Sequence, residues 1–118
     1  MEKILKYQPQ YKNLVEDFLA RAVLEGSSGT YKKEKFNLDD LDPQSSLWMA
    51  IVDNEVASIS YAERSFITGT PESIRKCRYH ILKKHRHGRY GFKMMKNQIA
   101  WAKENGFKHY YWTHDVKD

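Results

Sequence analysis

The sequence predicts an α/β (α+β) fold, with a mixed, mostly antiparallel central sheet and helices on both faces. Two segments, residues 14–23 and 90–102, repeat apolar side chains at helical spacing. Three runs rich in β-formers, residues 47–52, 56–66 and 74–82, follow one another and predict an antiparallel meander. The second helical segment stands between the third run and a last strand, residues 107–114. A strand–helix–strand unit of this kind makes a parallel, right-handed crossover.

Taken in order, residues 3–7 (KILKY) alternate weakly and predict a first strand, which Pro9 ends. Leu14, Val15, Phe18, Leu19, Ala22 and Val23 form the stripe of the first helix, and Gly26 reads as its C-terminal stop. Residues 31–41 are charged, with Phe36, Leu38 and Leu41 as the apolar members, and suit a short helix or an irregular loop closed by Pro43. A hairpin follows, with Asp53 and Asn54 at a turn that needs left-handed backbone. Residues 68–73 (TGTPES) predict a loop before the next strand. The second helix starts near Tyr90. Gly91, Met94, Met95, Ile99, Trp101 and Ala102 are expected to be buried, and Lys93, Lys96, Asn97, Lys103 and Glu104 to face solvent. Gly106 suits a left-handed cap, and Phe107 is expected to fold back on Trp101 or Ala102.

At 118 residues the chain reads as one domain, residues 1–118. A chain of this length buries roughly two-thirds of its unfolded surface, enough for one core. With 41% hydrophobic and 30% charged residues, the composition is globular rather than disordered. The net charge is +5 and the excess is local: residues 75–96 hold nine Lys or Arg and no Asp or Glu. A charge run alone serves equally well as a solvated face, but a partner of negative charge is the alternative. Cys77 is the only cysteine, so no intrachain disulfide can form, and no metal is expected because the five histidines lack cysteine partners at ligand spacing. The first ten residues lack an apolar core of the signal-peptide kind, and no window reaches the length of a membrane span. A cytoplasmic protein is expected.

The start of the second helix runs against the usual electrostatics. A helix leaves its first four N–H groups unpaired, and a Ser, Thr, Asp or Asn side chain usually caps one of them for about 1 kcal/mol. Here His85, Arg86, His87, Gly88 and Arg89 precede the helix, and none is a favoured acceptor. Each exposed cation there costs roughly 0.3–1 kcal/mol against the helix dipole. Both penalties vanish when an anion binds, because the free N–H groups then donate to phosphate oxygens. Arg86 and Arg89 add charge-assisted bonds, and Gly88 and Gly91 leave room for close approach.

The run Arg86–His87–Gly88–Arg89–Tyr90–Gly91 follows a strand, and is followed by Lys93, Met94 and Met95 and then by AKENGFKHYYW. In this it resembles the GNAT superfamily of acyltransferases, whose cofactor motif is Arg/Gln-x-x-Gly-x-Gly/Ala between the fourth strand and the next helix. Arg86 and Gly91 match its first and last positions. Arg89 replaces the middle glycine, where an arginine fits with φ negative, and a glycine stands one place earlier at Gly88. The resemblance covers roughly residues 47–118 and implies acetyl-CoA as cofactor. It implies that the backbone of Ile81, Leu82 and Lys83 bonds pantetheine amides. The loop Arg86, His87, Gly88, Arg89, Tyr90 and Gly91 would hold the pyrophosphate, and Lys83, Lys84 and Arg89 the 3′-phosphate. Family members usually continue past the fifth strand with a helix and two strands. This chain ends first, and pairing of HYYWTH with a second copy would cover that edge and make a homodimer.

Acyl transfer to an amine, from a small molecule or a peptide, needs a base, because a lysine-like amine with pKa about 10.4 is charged at neutral pH. Direct attack by the amine is the expected mechanism. His80, His114 and Glu63 are the candidate catalytic bases; each equally suits a solvent-facing place on an alternating strand. Two other readings stand beside this one. The chain would bind CoA without catalysis, or bind nucleic acid through Lys and Arg interleaved with Tyr79, His85, His87 and Tyr90. No helix-turn-helix or RNA-binding motif is present, and the cations gather at a loop rather than along a helix face. That pattern favours a compact anion over a polyanion, so nucleic acid is not expected.

Overall fold

A computed structural model describes residues 2–26, 37–64 and 73–112 of the chain. Its elements are β1 (Glu2–Lys6), a 3-10 turn (Pro9–Tyr11), α1 (Lys12–Leu24), a 3-10 turn (Leu38–Asp40), β2 (Ser46–Val52), β3 (Glu55–Arg64), β4 (Ser73–Ile81), a 3-10 helix (Lys83–Gly88), α2 (Tyr90–Glu104) and β5 (His109–Trp112). The strands lie in the order β1-β2-β3-β4-β5. The first three pairings are antiparallel and β4–β5 is parallel, so the sheet is mixed as the residue pattern predicts.

Strand alternation sorts the core into two layers. Leu47, Met49, Ile51, Val56, Ile59, Tyr61 and Leu82 meet Val15, Phe18, Leu19 and Ala22 of α1. On the other face Ala50 and Ala57 meet Tyr90 and Met94 of α2, while Ala62 and Ile74 meet Ala102. Small residues on that face let the second helix lie close to the sheet. Among the described residues no helix is long and apolar enough to cross a membrane.

The turn chemistry is as expected. Asp53 and Asn54 take φ of 50° and 67°, and Gly26 and Gly106 take 88° and 84°. Phe107 donates its N–H to Ala102 at 3.0 Å and stacks on Trp101 with ring centroids 5.8 Å apart. Around Leu38 the choice between helix and loop falls on a 3-10 turn, with the Asn37 side chain accepting from Asp39 N–H; the rest of that segment, the 68–72 loop and the end of the last strand lie outside the described residues. The stripe of α2 is displaced from the expected one. Its buried residues are Tyr90, Met94, Gln98 and Ala102, four apart, while Gly91, Met95, Ile99 and Trp101 are half-buried. The expectation counted only apolar side chains and so passed over Gln98, which sits fully buried at the centre of the contact.

Candidate functional site

The site is built where β4 ends. Along β3, Tyr61 pairs with Arg78 and Ala62 with Lys76, so β4 carries one extra residue, Cys77, at a bulge. Pairing with β5 runs from Ser73–His109 to Lys76–Trp112 and, among the described residues, stops just before that bulge. A bulge bends its strand and raises its twist. The outer part of β4 is therefore bent away from the line of the segment that β5 holds.

The chain then passes through Leu82 into the cationic stretch. Leu82 is buried against α1, its N–H donates to Ala57 O at 2.9 Å, and its carbonyl accepts from His85 N–H at 2.9 Å. The cationic stretch is a 3-10 helix rather than an open loop, and a single left-handed residue, Arg89, joins it to α2. With φ 57° and ψ 30°, Arg89 corrects the expectation of negative φ. The chain must reverse between two helical segments of different axis, and one left-handed residue does this. For a residue with a Cβ that geometry costs roughly 1–2 kcal/mol. No side chain caps α2, so its first N–H groups remain donors as anticipated.

The cations divide into two groups. Lys84 Nζ lies 2.5 Å and His85 Nε2 2.8 Å from Glu55 Oε1, and Arg21 donates to Glu55 Oε2 at 2.6 Å. Lys84 is thus engaged by a carboxylate of the chain itself. The exposed side chains of Lys83, Arg86, His87 and Arg89 have no hydrogen bond or ion pair among the described residues. The glycines also do something other than expected. A Cβ on Gly88 would collide with the ring of Tyr90, and a Cβ on Gly91 with the hydroxyl of Tyr79. The space over both is filled by the chain's own tyrosines. Burial raises the Tyr79 hydroxyl above its ordinary pKa.

Of the candidate bases, His80 stands on β4 opposite Ile59, facing α1. Its ring lies edge-on to Phe18 at 6.0 Å, and Nε2 is 3.1 Å from Glu25 Oε1. Glu25 also accepts the N–H of Lys83 on both oxygens, at 3.1 and 3.2 Å. With Leu82 and Lys83 N–H groups already committed, Ile81 is the remaining member of the expected pantetheine-binding trio; it pairs with Ser58. Glu63 accepts from Tyr61 Oη at 3.4 Å and is in register with Arg75. It lies four residues beyond Ile59, about 13 Å along the strand. The structure therefore separates His80 from Glu63. His114 lies outside the described residues.

Sequence reasoning missed Glu25 and Glu55, and named Tyr79 only in the nucleic-acid reading. Glu25 had a signal, since an acid just before the glycine stop sits at the negative end of the helix dipole. Glu55 had none, because only the sheet register brings it beneath Lys84. Among the described residues no cluster of His, Cys, Asp or Glu converges as metal ligands would. A groove of about 420 Å³ is lined by Lys3, Leu5, Tyr11, Leu14, Ile51, Asp53 and Asn54, none of them on β4 or the junction.

A mixed sheet whose fourth strand is bulged and runs into an uncapped helix defines the class: over nearly its whole length the chain has the fold of GNAT-family acetyltransferases. It is similar to a GNAT-family acetyltransferase from Staphylococcus aureus at 16% identity, with a TM-score of 0.75 over 99% of this chain and 76% of that one. It is also similar to an aminoglycoside 6′-N-acetyltransferase from Acinetobacter baumannii, at 14% identity and TM-score 0.73 over 100% of this chain and 82% of that one. A third similar structure is glucosamine-6-phosphate N-acetyltransferase from Arabidopsis thaliana, at 13% identity and TM-score 0.73 over 99% and 84%. At these identities the likeness is one of fold. No family model and no curated protein matches the sequence.

Proposed function

We propose that this chain is an acetyl-CoA-dependent N-acetyltransferase that passes an acetyl group to a primary amine, on a small molecule or a peptide, by direct attack. The observation that carries this reading is the junction after β4, where an uncapped helix start stands among Lys83, Arg86 and Arg89, none of whose side chains makes an ion pair among the described residues. That donor set fits a diphosphate: free N–H groups on the helix axis, with guanidinium groups beside them. Similar structures named for N-acetylation of an aminoglycoside and of glucosamine-6-phosphate add support.

In this reading Arg86, His87, Gly88, Arg89, Tyr90 and Gly91 hold the pyrophosphate, and Lys83 and Arg89 reach the 3′-phosphate. The outer part of β4, with Ile81, runs beside the pantetheine. Acetyl-CoA supplies the activated acyl group. The ammonium form of the acceptor loses two protons overall: a base delivers one to solvent, and the other ends on the departing sulfur. The amine nitrogen's pair forms the new C–N bond as the C–S pair leaves. His80 and Glu63 are the described candidates for the base, and His80 lies on the outer part of β4 beside the pantetheine. Among the described residues β5 has β4 on one side only, which supports pairing with a second copy along its other edge.

The test is calorimetric titration with CoA together with thiol release from acetyl-CoA over a panel of amines. Arg86→Ala should weaken CoA binding by about 1.5–3 kcal/mol, the range for a hydrogen bond to a charged group. Binding without thiol release would leave a CoA-binding protein. An absence of heat with CoA, or an affinity indifferent to Arg86, overturns the reading.

A further inference from the structure

We infer that Glu55 is a positioning residue for the cofactor: through His85 it sets the rotation of the 3-10 helix after β4, and so the side on which Lys83 and Arg86 stand to meet the diphosphate. The inference rests on the acyltransferase reading above.

A carboxylate beside a site for a polyanion needs a reason, because like charges repel. Glu55 opens β3 directly after the turn at Asp53 and Asn54, and in register it faces Val52. Both of its oxygens are held. Oε2 accepts from Arg21 of α1 at 2.6 Å, while Oε1 takes His85 Nε2 at 2.8 Å and Lys84 Nζ at 2.5 Å. An ionised carboxylate only accepts hydrogen bonds, so Nε2 is the donor.

A 3-10 helix has three residues per turn, so positions i and i+3 share one side. Within Lys83–Gly88 this puts His85 with Gly88, and Lys83 with Arg86. His85 and Gly88 are the half-buried pair of the six, and the other four are exposed. That pair meets one ring. His85 lies edge-on to Tyr90 with centroids 6.3 Å apart, and a Cβ on Gly88 would collide with the same ring. Tyr90 is in turn buried in the cluster of Ala50, Ala57 and Met94. Apolar contact is non-directional, whereas a hydrogen bond fixes both a distance and an angle. The directional tie on this inner side is the one from His85 to Glu55. A 3-10 segment has poorer hydrogen-bond geometry of its own than an α-helix, so outside ties decide its setting. Glu25, accepting the Lys83 N–H, fixes where the stretch begins. Glu55 fixes how far it is turned.

Binding costs free energy for every segment and side chain that it must order. A stretch already held by Glu55 avoids that cost, and its gain exceeds the repulsion from a carboxylate paired with Arg21 and Lys84. Two other roles predict different results. A carboxylate acting by its charge alone would weaken anion binding, so its removal would tighten it. A carboxylate that only stabilised the fold would leave the affinity of the folded chain unchanged.

Calorimetric titration of the full chain with CoA and with dephospho-CoA, on the wild type, Glu55→Ala and Glu55→Gln, separates these roles. Dephospho-CoA keeps the diphosphate and lacks the 3′-phosphate. Glu55→Ala should weaken both ligands about 10-fold. Glu55→Gln should weaken both by less, because the amide keeps the length and one acceptor oxygen. Melting curves alongside establish that each variant is folded at the titration temperature. In a His85→Ala background Glu55→Ala should cost clearly less, because it acts through that ring. Should the alanine variant fail to fold, the glutamine variant carries the same comparison. An affinity for either ligand that is unchanged or tighter, or full additivity with His85→Ala, overturns the positioning role, while CoA binding by the wild type leaves the acyltransferase reading standing. A wild-type chain that gives no heat with either ligand overturns both.

Discussion

Glu55 carries more of the local electrostatics than any other described side chain. Bonds from Lys84 and His85, then from Arg21, pull its carboxyl from 4.5 down to about 2, against the opposing effect of burial. A depressed carboxyl stabilises the fold above its unfolded value and loses that contribution as pH falls through the folded one. The wild type should therefore lose stability between pH 4.5 and about 2 through this group. Glu55→Gln should cost about 1 kcal/mol at neutral pH, the scale of a partly exposed ion-pair network. Melting curves across pH check this, and the gap between variant and wild type should close toward the acid end. A gap that stays constant would show that the charge is not what holds Lys84 and His85.

At the level of the element, α2 is held to the sheet by a polar anchor. The Gln98 carbonyl oxygen accepts from Ser60 Oγ at 2.9 Å and Tyr110 Oη at 2.7 Å, and its amide donates to Ser46 O at 2.9 Å and Ser60 O at 3.2 Å. Every donor and acceptor of the amide is satisfied. Gln98→Leu keeps most of the volume but removes these four hydrogen bonds, and should cost about 2–4 kcal/mol in chemical denaturation. A loss below about 1 kcal/mol would mean that those groups find other partners. The junction before the helix is locally unfavourable by contrast, with no cap and a left-handed Arg89. An element that gains its stability through Gln98 and Met94 tolerates a costly first turn.

Across the whole molecule, the C-terminal end of α1 and the N-terminal end of α2 meet at the tip of β4. One brings a carboxylate, Glu25, onto the strand end; the other leaves exposed cations beside free N–H groups. Glu25 thus comes from the helix on one face of the sheet, and the uncapped helix start belongs to the helix on the other. Attraction of a polyanionic cofactor to exposed charges is screened by salt. CoA affinity should accordingly fall several-fold between low ionic strength and 0.5 M salt, roughly where screening reaches a few ångströms. A salt-independent affinity in calorimetry would place the cofactor away from Lys83, Arg86 and Arg89.

Much of the fold was legible in the sequence because it is written in local terms. Apolar spacing marked α1, β-branched runs marked β2, β3 and β4, and Asp53, Asn54, Gly26 and Gly106 each marked backbone that only a few residues adopt comfortably. The uncapped, cation-rich start of α2 was legible for the same reason, since capping and dipole effects act within one turn. What tertiary structure alone decided were pairings between residues far apart in the chain. The register of β3 on β4 placed the bulge at Cys77, folding brought Glu55 beneath Lys84 and Glu25 against His80, and packing put Gln98 beside Met94 on the buried face of the helix. Local propensity says which segments bend or extend. Only the closed sheet says which side chains, separated by tens of residues, come within a hydrogen bond of each other.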